Sequence, residues 1–328
     1  MPPDAETGPA RPQAAAGPGF VAFLRRRPGF LLGYVLVALV AAAGLAAPLI
    51  APHSPVDADA GAYLAAPSLA HPMGTDTAGL DVFSRVLHAP RVDLAIALLS
   101  TGFAAAVGSF LGALFGLWEG RGGLKGAGAA LGLRASDIVQ AFPVFALALV
   151  LVAVMGQGVQ SIVLAIGLVT IPAYLRLVRA QTLTLRTQPF VEAAVLAGGG
   201  DLYVLSRHVL PNALPVIAAQ MAVGAGSAVL LTAGLSFIGA GVRAPTPEWG
   251  SMIAMGFQNV VTGQWWPSLF PGLALCVTVL GFSLVGASIE AWSDPRERAR
   301  PTRRAWNAFL AARPLNAAPA ARPAEASR

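Results

Sequence analysis

Charge is scarce in this chain: 12% of its 328 residues are charged and 55% are hydrophobic, far from the balance of a soluble globular domain. Cysteine occurs once, as Cys276, which excludes an intramolecular disulfide and any cysteine-built metal site; its place inside an apolar run reads as a small packing residue. Lysine also occurs once, and Gly126 follows Lys125, so the chain carries no phosphate-cradling loop ending in Lys and then Ser or Thr. The four histidines form no nucleophile–base arrangement. His53, His71 and His88, with Asp76 and Asp81, match no compact ligand spacing; they read as solvated loop residues, and no metal ligand is assigned. The net charge of +6 does not point to nucleic acid, because the basic residues sit at the ends of apolar runs rather than on a surface with stacking groups.

What is abundant is apolar sequence in long blocks. A bilayer core takes about 20 residues of helix, since backbone groups there must be satisfied within the segment. Six blocks qualify, at about 30–50, 94–118, 138–155, 157–175, 212–240 and 268–289, and none contains Asp, Glu, Lys, Arg or His. Carriers driven by protons or ions keep ionisable groups at membrane depth, so their absence counts against that class. Basic residues are retained on the cytoplasmic side. With the N-terminus inside, 19 Lys and Arg residues fall inside and only Arg85, Arg91 and Arg243 outside, which places both termini in the cytoplasm. The run after "RRRPGF" is as long as a full span, so it reads as an uncleaved helix rather than a signal peptide. The flanks, Met1 to Gly19 and about Pro295 to Arg328, are rich in Ala, Pro and Arg without apolar periodicity and are expected to be disordered. Gly108, Gly112 and Gly116 share one face of the second span, a close-packing pattern, and Pro143, Pro172 and Pro215 each predict a kink.

The polar stretch "FVEAAVLAGGGDLYVLSRHVLPNALP", Phe190 to Pro215, then falls in the cytoplasm between the fourth and fifth spans. Thr187 caps and Pro189 opens a short helix that turns Val191, Ala194 and Val195 to one side. Gly198, Gly199 and Gly200 stop it. Asp201 is placed to cap a second helix that Pro211 closes. A helix–hinge–helix with apolar side chains either lies on lipid or fills a partner's groove.

Glu192, Ala193, Ala194 and Gly198, followed by "RHVLPNALP", resemble the EAA loop of ATP-binding-cassette (ABC) importer permeases in the dipeptide, oligopeptide and nickel branch. "HPMGTDTAGLDVFSRVLHAPRVDL" (71–94), "AGLSFIGAGVRAPTPEWGSMI" (233–253) and "WWPSLFPGLALCVTVLGFSLVG" (265–286) are similar to that branch in the same order, with Asp294-Pro295-Arg296 after them. The likeness covers about Arg25 to Arg296 and is nearest to the second, C-type chain. Leu80, Ala89-Pro90 and Ala287 depart from the pattern, which more often has Arg, Gly-Ala and Asp there.

The resemblance implies an all-α polytopic membrane protein with about six transmembrane helices, the type I ABC importer permease fold. Its parts would be a cytoplasmic N-terminal tail (1–29), a first span (30–50), an extracytoplasmic loop (51–91) and a permease core (92–291) with a coupling loop at about 186–211. A cytoplasmic tail (292–328) follows. It further implies a homologous second permease, two cytoplasmic ATP-binding subunits that hold the ATP and Mg, and an extracytoplasmic solute-binding protein in a bacterial inner membrane. This chain would hold no cofactor and be no enzyme. The ATPase-coupling positions carried over are Glu192, Ala193, Ala194, Gly198, Gly199, Asp201, His208, Leu210 and Pro211, with Glu192 for polar contact and Gly198 for the turn. Short peptides are the first expectation for cargo, and nickel or another small solute the second. From other classes, a secondary carrier or channel and a non-transporting membrane scaffold share the composition.

Overall fold

The computed structural model describes residues 19–294. Apart from Gly19, both flanks expected to be disordered lie outside those residues. The elements are helical: α1 (Phe20–Arg26), α2 (Pro28–Ile50), α3 (Val82–His88), α4 (Pro90–Trp118), α5 (Gly123–Ala141), α6 (Val144–Met155) and α7 (Val159–Leu185). Then follow α8 (Pro189–Leu196), α9 (Asp201–Val204), α10 (Leu210–Phe237), α11 (Trp249–Phe257) and α12 (Trp266–Ser293). A π-helical turn at Leu205–Val209 joins α9 to α10. Five helices are long and apolar enough to cross a bilayer, and α5 with α6 makes a sixth if that bent pair is one span.

The helices alternate in direction, so the bundle has two ends. At one, which we call the hinge end, lie the α4–α5 turn and residues 186–211, with Glu119 bonded to Arg179 and Trp118 to Asp201. There α1 sets Phe20 and Phe23 edge-on against Trp292, each with ring centroids 5.3 Å apart. The opposite end gathers residues 51–89 and 238–265, joined by the Arg85 bond to the Pro245 carbonyl and the Trp266 bond to the Thr75 carbonyl.

The deepest packing is between α4 and α7, and the glycine ridge explains it. A Cβ built at Gly108 would lie 2.6 Å from the Ile171 oxygen, at Gly112 2.4 Å from the Leu175 oxygen, and at Gly116 2.7 Å from Thr182 Cβ. On the α7 side, a Cβ at Gly167 would lie 2.7 Å from the Phe103 ring. Only hydrogen fits at these points, so two backbones touch where apolar solvation alone gives helices in lipid no reason to associate.

Three expectations change. The third run does bend at Pro143 as predicted, but as a break between two helices, α5 and α6, that meet at 93°. Pro143 stands just before α6 rather than inside it, since proline disfavours helical φ/ψ for the residue before it. Pro172 and Pro215, by contrast, lie within helices that continue past them. The second run begins earlier than its apolar stretch, so α4 carries Arg91 and a buried Asp93 in its first turns. Cys276 faces outward from α12 instead of packing inside the chain.

The loop after α2 is not a set of solvated polar residues either. Asp81 is 2% exposed, and its Oδ2 accepts from the Ser84 N–H at 2.7 Å, capping α3. Arg85, 1% exposed, donates to the Pro55 and Pro245 carbonyls and lies 3.8 Å from Asp76. Ligand atoms of His53, His71 and Asp81 lie within 4.8 Å of one another, closer than their spacing suggested. They are engaged in hydrogen bonds: His71 Nδ1 with Asp81 Oδ1 at 3.0 Å, and His53 Nε2 with the Ala70 carbonyl at 2.9 Å. The two imidazoles stack at 4.6 Å. Across the same end, Glu248 accepts from the Gly250 and Ser251 N–H groups, and Asp93 accepts from the Trp249 N–H, so two buried carboxyl groups serve the N-terminus of α11. Leu80 and Ala89, departures from the resembled pattern, are buried.

Candidate coupling site

Residues 186–211 leave the bundle at the end of α7 and return through α10. Pro189 opens α8 as expected, but Gln188 precedes the helix without a side-chain cap, and Thr187 Oγ1 instead donates to the Thr184 carbonyl. Gly198 adopts φ +87°, the left-handed region that favours glycine. The Gly198 N–H then reaches the Val195 carbonyl and the Gly199 N–H the Ala194 carbonyl, each at 3.0 Å. A Cβ at Gly199 would lie 2.7 Å from that Ala194 oxygen. The triple glycine is therefore a tight reversal closed by α8's own last carbonyls.

The hinge has an inner and an outer face. Val191, Val204, Leu205 and Val209 are each at most 2% exposed and pack with Leu117, Tyr174 and Val178 of α4 and α7; Ala194 and Leu210 are half-buried beside them. On the outer face Leu196 is 87% exposed and Leu202 66%, with Phe190, Val195 and Tyr203 also exposed. Val195, expected on one side with Val191 and Ala194, is separated from them and belongs to this face. Glu192 and Ala193 are exposed in the first turns of α8, and Glu192 has no ion-pair partner among the described residues. His208 bridges the two halves, its ring 6.2 Å from Phe190 and 5.6 Å from Tyr203.

Pro211 does not end the second helix. Residues from Asp201 to Phe237 form one continuous run through the π turn. Proline has no N–H to give the preceding turn, and a π turn shifts the bonding register just before it. Asn212 assists: its Nδ2 donates to the His208 carbonyl at 2.6 Å. The outer part of the hinge is thus continuous with a 28-residue helix, α10.

Asp201 departs furthest from its expected role. Gly200 precedes α9 and no side chain caps it. The Asp201 carboxylate points back to the α4–α5 turn, where Oδ1 accepts from Arg121 Nη1 at 2.7 Å and Oδ2 from Lys125 Nζ at 2.6 Å and Trp118 Nε1 at 3.0 Å. Arg186 donates from the other flank to the Gly116 and Glu119 carbonyls at 3.0 and 2.8 Å, completing the exposed C-terminus of α4. Arg179 forms a two-pronged pair with Glu119 at 2.7 and 2.5 Å, which holds the Glu119 carboxyl below its usual range. Sequence reading missed Trp118, Arg121, Lys125 and Arg186. The available signal was the opposition of one carboxylate at the hinge to the only lysine and Arg121 in the other short loop of the same side.

The description "Binding-protein-dependent transport system inner membrane component" fits residues 108–299, which include the whole hinge. The chain is 37% identical over 294 residues to the probable D,D-dipeptide transport system permease protein DdpC of Escherichia coli (strain K12), covering 89% of this chain and 96% of that one. It is 35% identical over 274 residues to the di/tripeptide transport system permease protein DppC of Pseudomonas aeruginosa (strain UCBPP-PA14), covering 82% and 88%. With the glutathione transport system permease protein GsiD of Escherichia coli O1:K1 / APEC it shares 36% identity over 230 residues, 70% of this chain and 74% of the relative. Helical spans, a glycine-closed hinge and these matches lead to one conclusion: the chain belongs to the family of binding-protein-dependent transport system inner membrane components, as a multi-pass membrane permease.

Proposed function

We propose that the chain is one permease of an ABC importer for short peptides, and that residues 186–211 dock into a separate ATP-binding subunit. The observation that carries this reading is the outer face of the hinge. Phe190, Val195, Leu196, Leu202 and Tyr203 expose apolar side chains in the same stretch as the exposed Glu192, a pattern suited to a partner's groove. Gly198 and Gly199 form its turn, His208 spans its two halves, Ala193 is exposed beside Glu192, and Pro211 lies where the run enters α10. The excess of basic residues at this end supports a cytoplasmic side for it and for both termini.

ATP and Mg belong to two partner subunits. Their closure moves the hinge and biases the chain toward an outward-facing state that accepts cargo from an extracytoplasmic solute-binding protein. A homologous second permease completes the pathway in the inner membrane. Peptide is favoured as cargo because the di/tripeptide, D,D-dipeptide and glutathione relatives share that class.

Detergent extraction of the tagged chain co-expressed with the ATP-binding subunits encoded beside it tests the reading. Stoichiometric recovery of those subunits, lost in Leu196→Asp/Leu202→Asp, is expected. A chain that moves peptide when purified and reconstituted alone overturns it.

A further inference from the structure

We propose that Asp201 is a positioning residue that locks the hinge to the α4–α5 turn of its own chain, so that a push on α8 reaches α4 and α5 as well as α10. This rests on the docking role proposed above for residues 186–211, and it gives Asp201 a task turned away from the ATP-binding subunit.

Both carboxylate oxygens are engaged. Oδ1 takes Arg121, while Oδ2 takes Lys125 and Trp118, at 2.6 to 3.0 Å. The donors sit on the last residue of α4, in the turn, and in the first turn of α5, between 76 and 83 residues away in sequence. A carboxylate at this point of a helix ordinarily serves nearby N–H groups; here no such bond forms, and the group is committed to a tertiary connection. Two cations and an indole N–H around one carboxylate make charge-assisted bonds, each stronger than a neutral one.

The other flank is anchored to the same place. Arg186, three residues before α8, donates to the Gly116 and Glu119 carbonyls. The exposed helix α8 is thus suspended between two fastenings, Arg186 and Asp201, that both grip the end of α4 and the turn after it. The C-terminal fastening also opens the continuous run into α10. The apolar inner face already rests on α4 and α7; the Asp201 contact adds a directed polar link to the α4–α5 turn, so that a push also loads α5 and the end of α4, which the glycine ridge binds to α7. Asp201, Arg121 and Lys125 are 21%, 42% and 54% exposed. Such partly solvated pairs are weak as contributors to stability and suited to a contact that carries load without fixing the fold.

The test uses the assembled importer with its ATP-binding subunits and solute-binding protein in proteoliposomes, and reads peptide taken up per ATP hydrolysed. In Asp201→Asn the subunits should co-purify as in wild type, because Glu192 and the apolar outer face are untouched, while uptake per ATP falls about fivefold or more. Arg121→Ala/Lys125→Ala should reproduce that loss, and adding Asp201→Asn to it should cost little more, since all three groups belong to one contact. Asp201→Glu should recover part of the ratio. An unchanged ratio in Asp201→Asn, or losses that multiply in the triple variant, overturns the lock. Loss of the ATP-binding subunits from Asp201→Asn also overturns it, by placing the carboxylate against the partner. Failure of wild type to retain those subunits overturns instead the docking role itself.

Discussion

The two ends of the bundle handle charge in opposite ways. At the end formed by residues 51–89 and 238–265, Asp81, Arg85 and Glu248 are at most 2% exposed and bond mainly to backbone groups. At the hinge end, Glu119, Arg121, Lys125, Arg179 and Asp201 are partly solvated and bond side chain to side chain. A buried charge with fixed backbone partners has no cheap alternative arrangement, because separation leaves it desolvated and alone. A partly exposed pair can separate into water at little cost. One end is built to stay as it is, and the other to hold and release.

The contrast is broken most severely at the fixed end. Glu248→Ala strips the acceptor from the Gly250 and Ser251 N–H groups and is expected to cost about 3 kcal/mol or more, since each of two buried donors left unsatisfied costs about 1–3 kcal/mol. Thermal unfolding in detergent should show a large drop in Tm or no recoverable protein. Next comes Gly112→Leu, which forces a side chain where a Cβ already lies 2.4 Å from the Leu175 oxygen. Overpacking of this kind costs about 1–3 kcal/mol or more, read in the same melt. At the hinge end, Leu196→Ser should leave stability within about 0.5 kcal/mol of wild type, as for exposed positions generally, yet weaken recovery of the ATP-binding subunits.

The smallest expected effect is on pH dependence. Arg179 holds the Glu119 pKa below its ordinary value of 4.5. The folded value is the lower one, so the pair's stabilisation is fully present above the unfolded value and is lost as pH falls through the folded one. A melt series descending from about pH 5 should show a shallower acid decline in Glu119→Gln than in wild type. An identical slope would mean that Glu119 contributes no pH-dependent stability.

Much of the bundle was legible because apolar run length and the need for internal backbone bonds leave few alternatives. Gly108, Gly112 and Gly116 announced their contact, and Gly198 its turn, because only glycine suits those positions. Pro143 announced the bend in the third run but not its size, since a proline marks where a helix is interrupted without stating that the two pieces meet at 93°. Pro211 misled because proline usually ends helices, whereas the π turn before it and Asn212 after it let the helix continue. Asp201 misled because hinge aspartates commonly cap, and its true partners lie in another loop. Asp93 and Glu248 gave no warning, since a carboxyl group buried on backbone donors looks in sequence like any other acid.

The glycine ridge of α4 has one more consequence. From about Ser100 and Phe103 against Gly167 to Gly116 against Thr182, the two helices run with main chain against main chain or side-chain root. That seam is narrower than any peptide. No cargo can therefore pass between α4 and α7, and the pair moves as one two-helix unit.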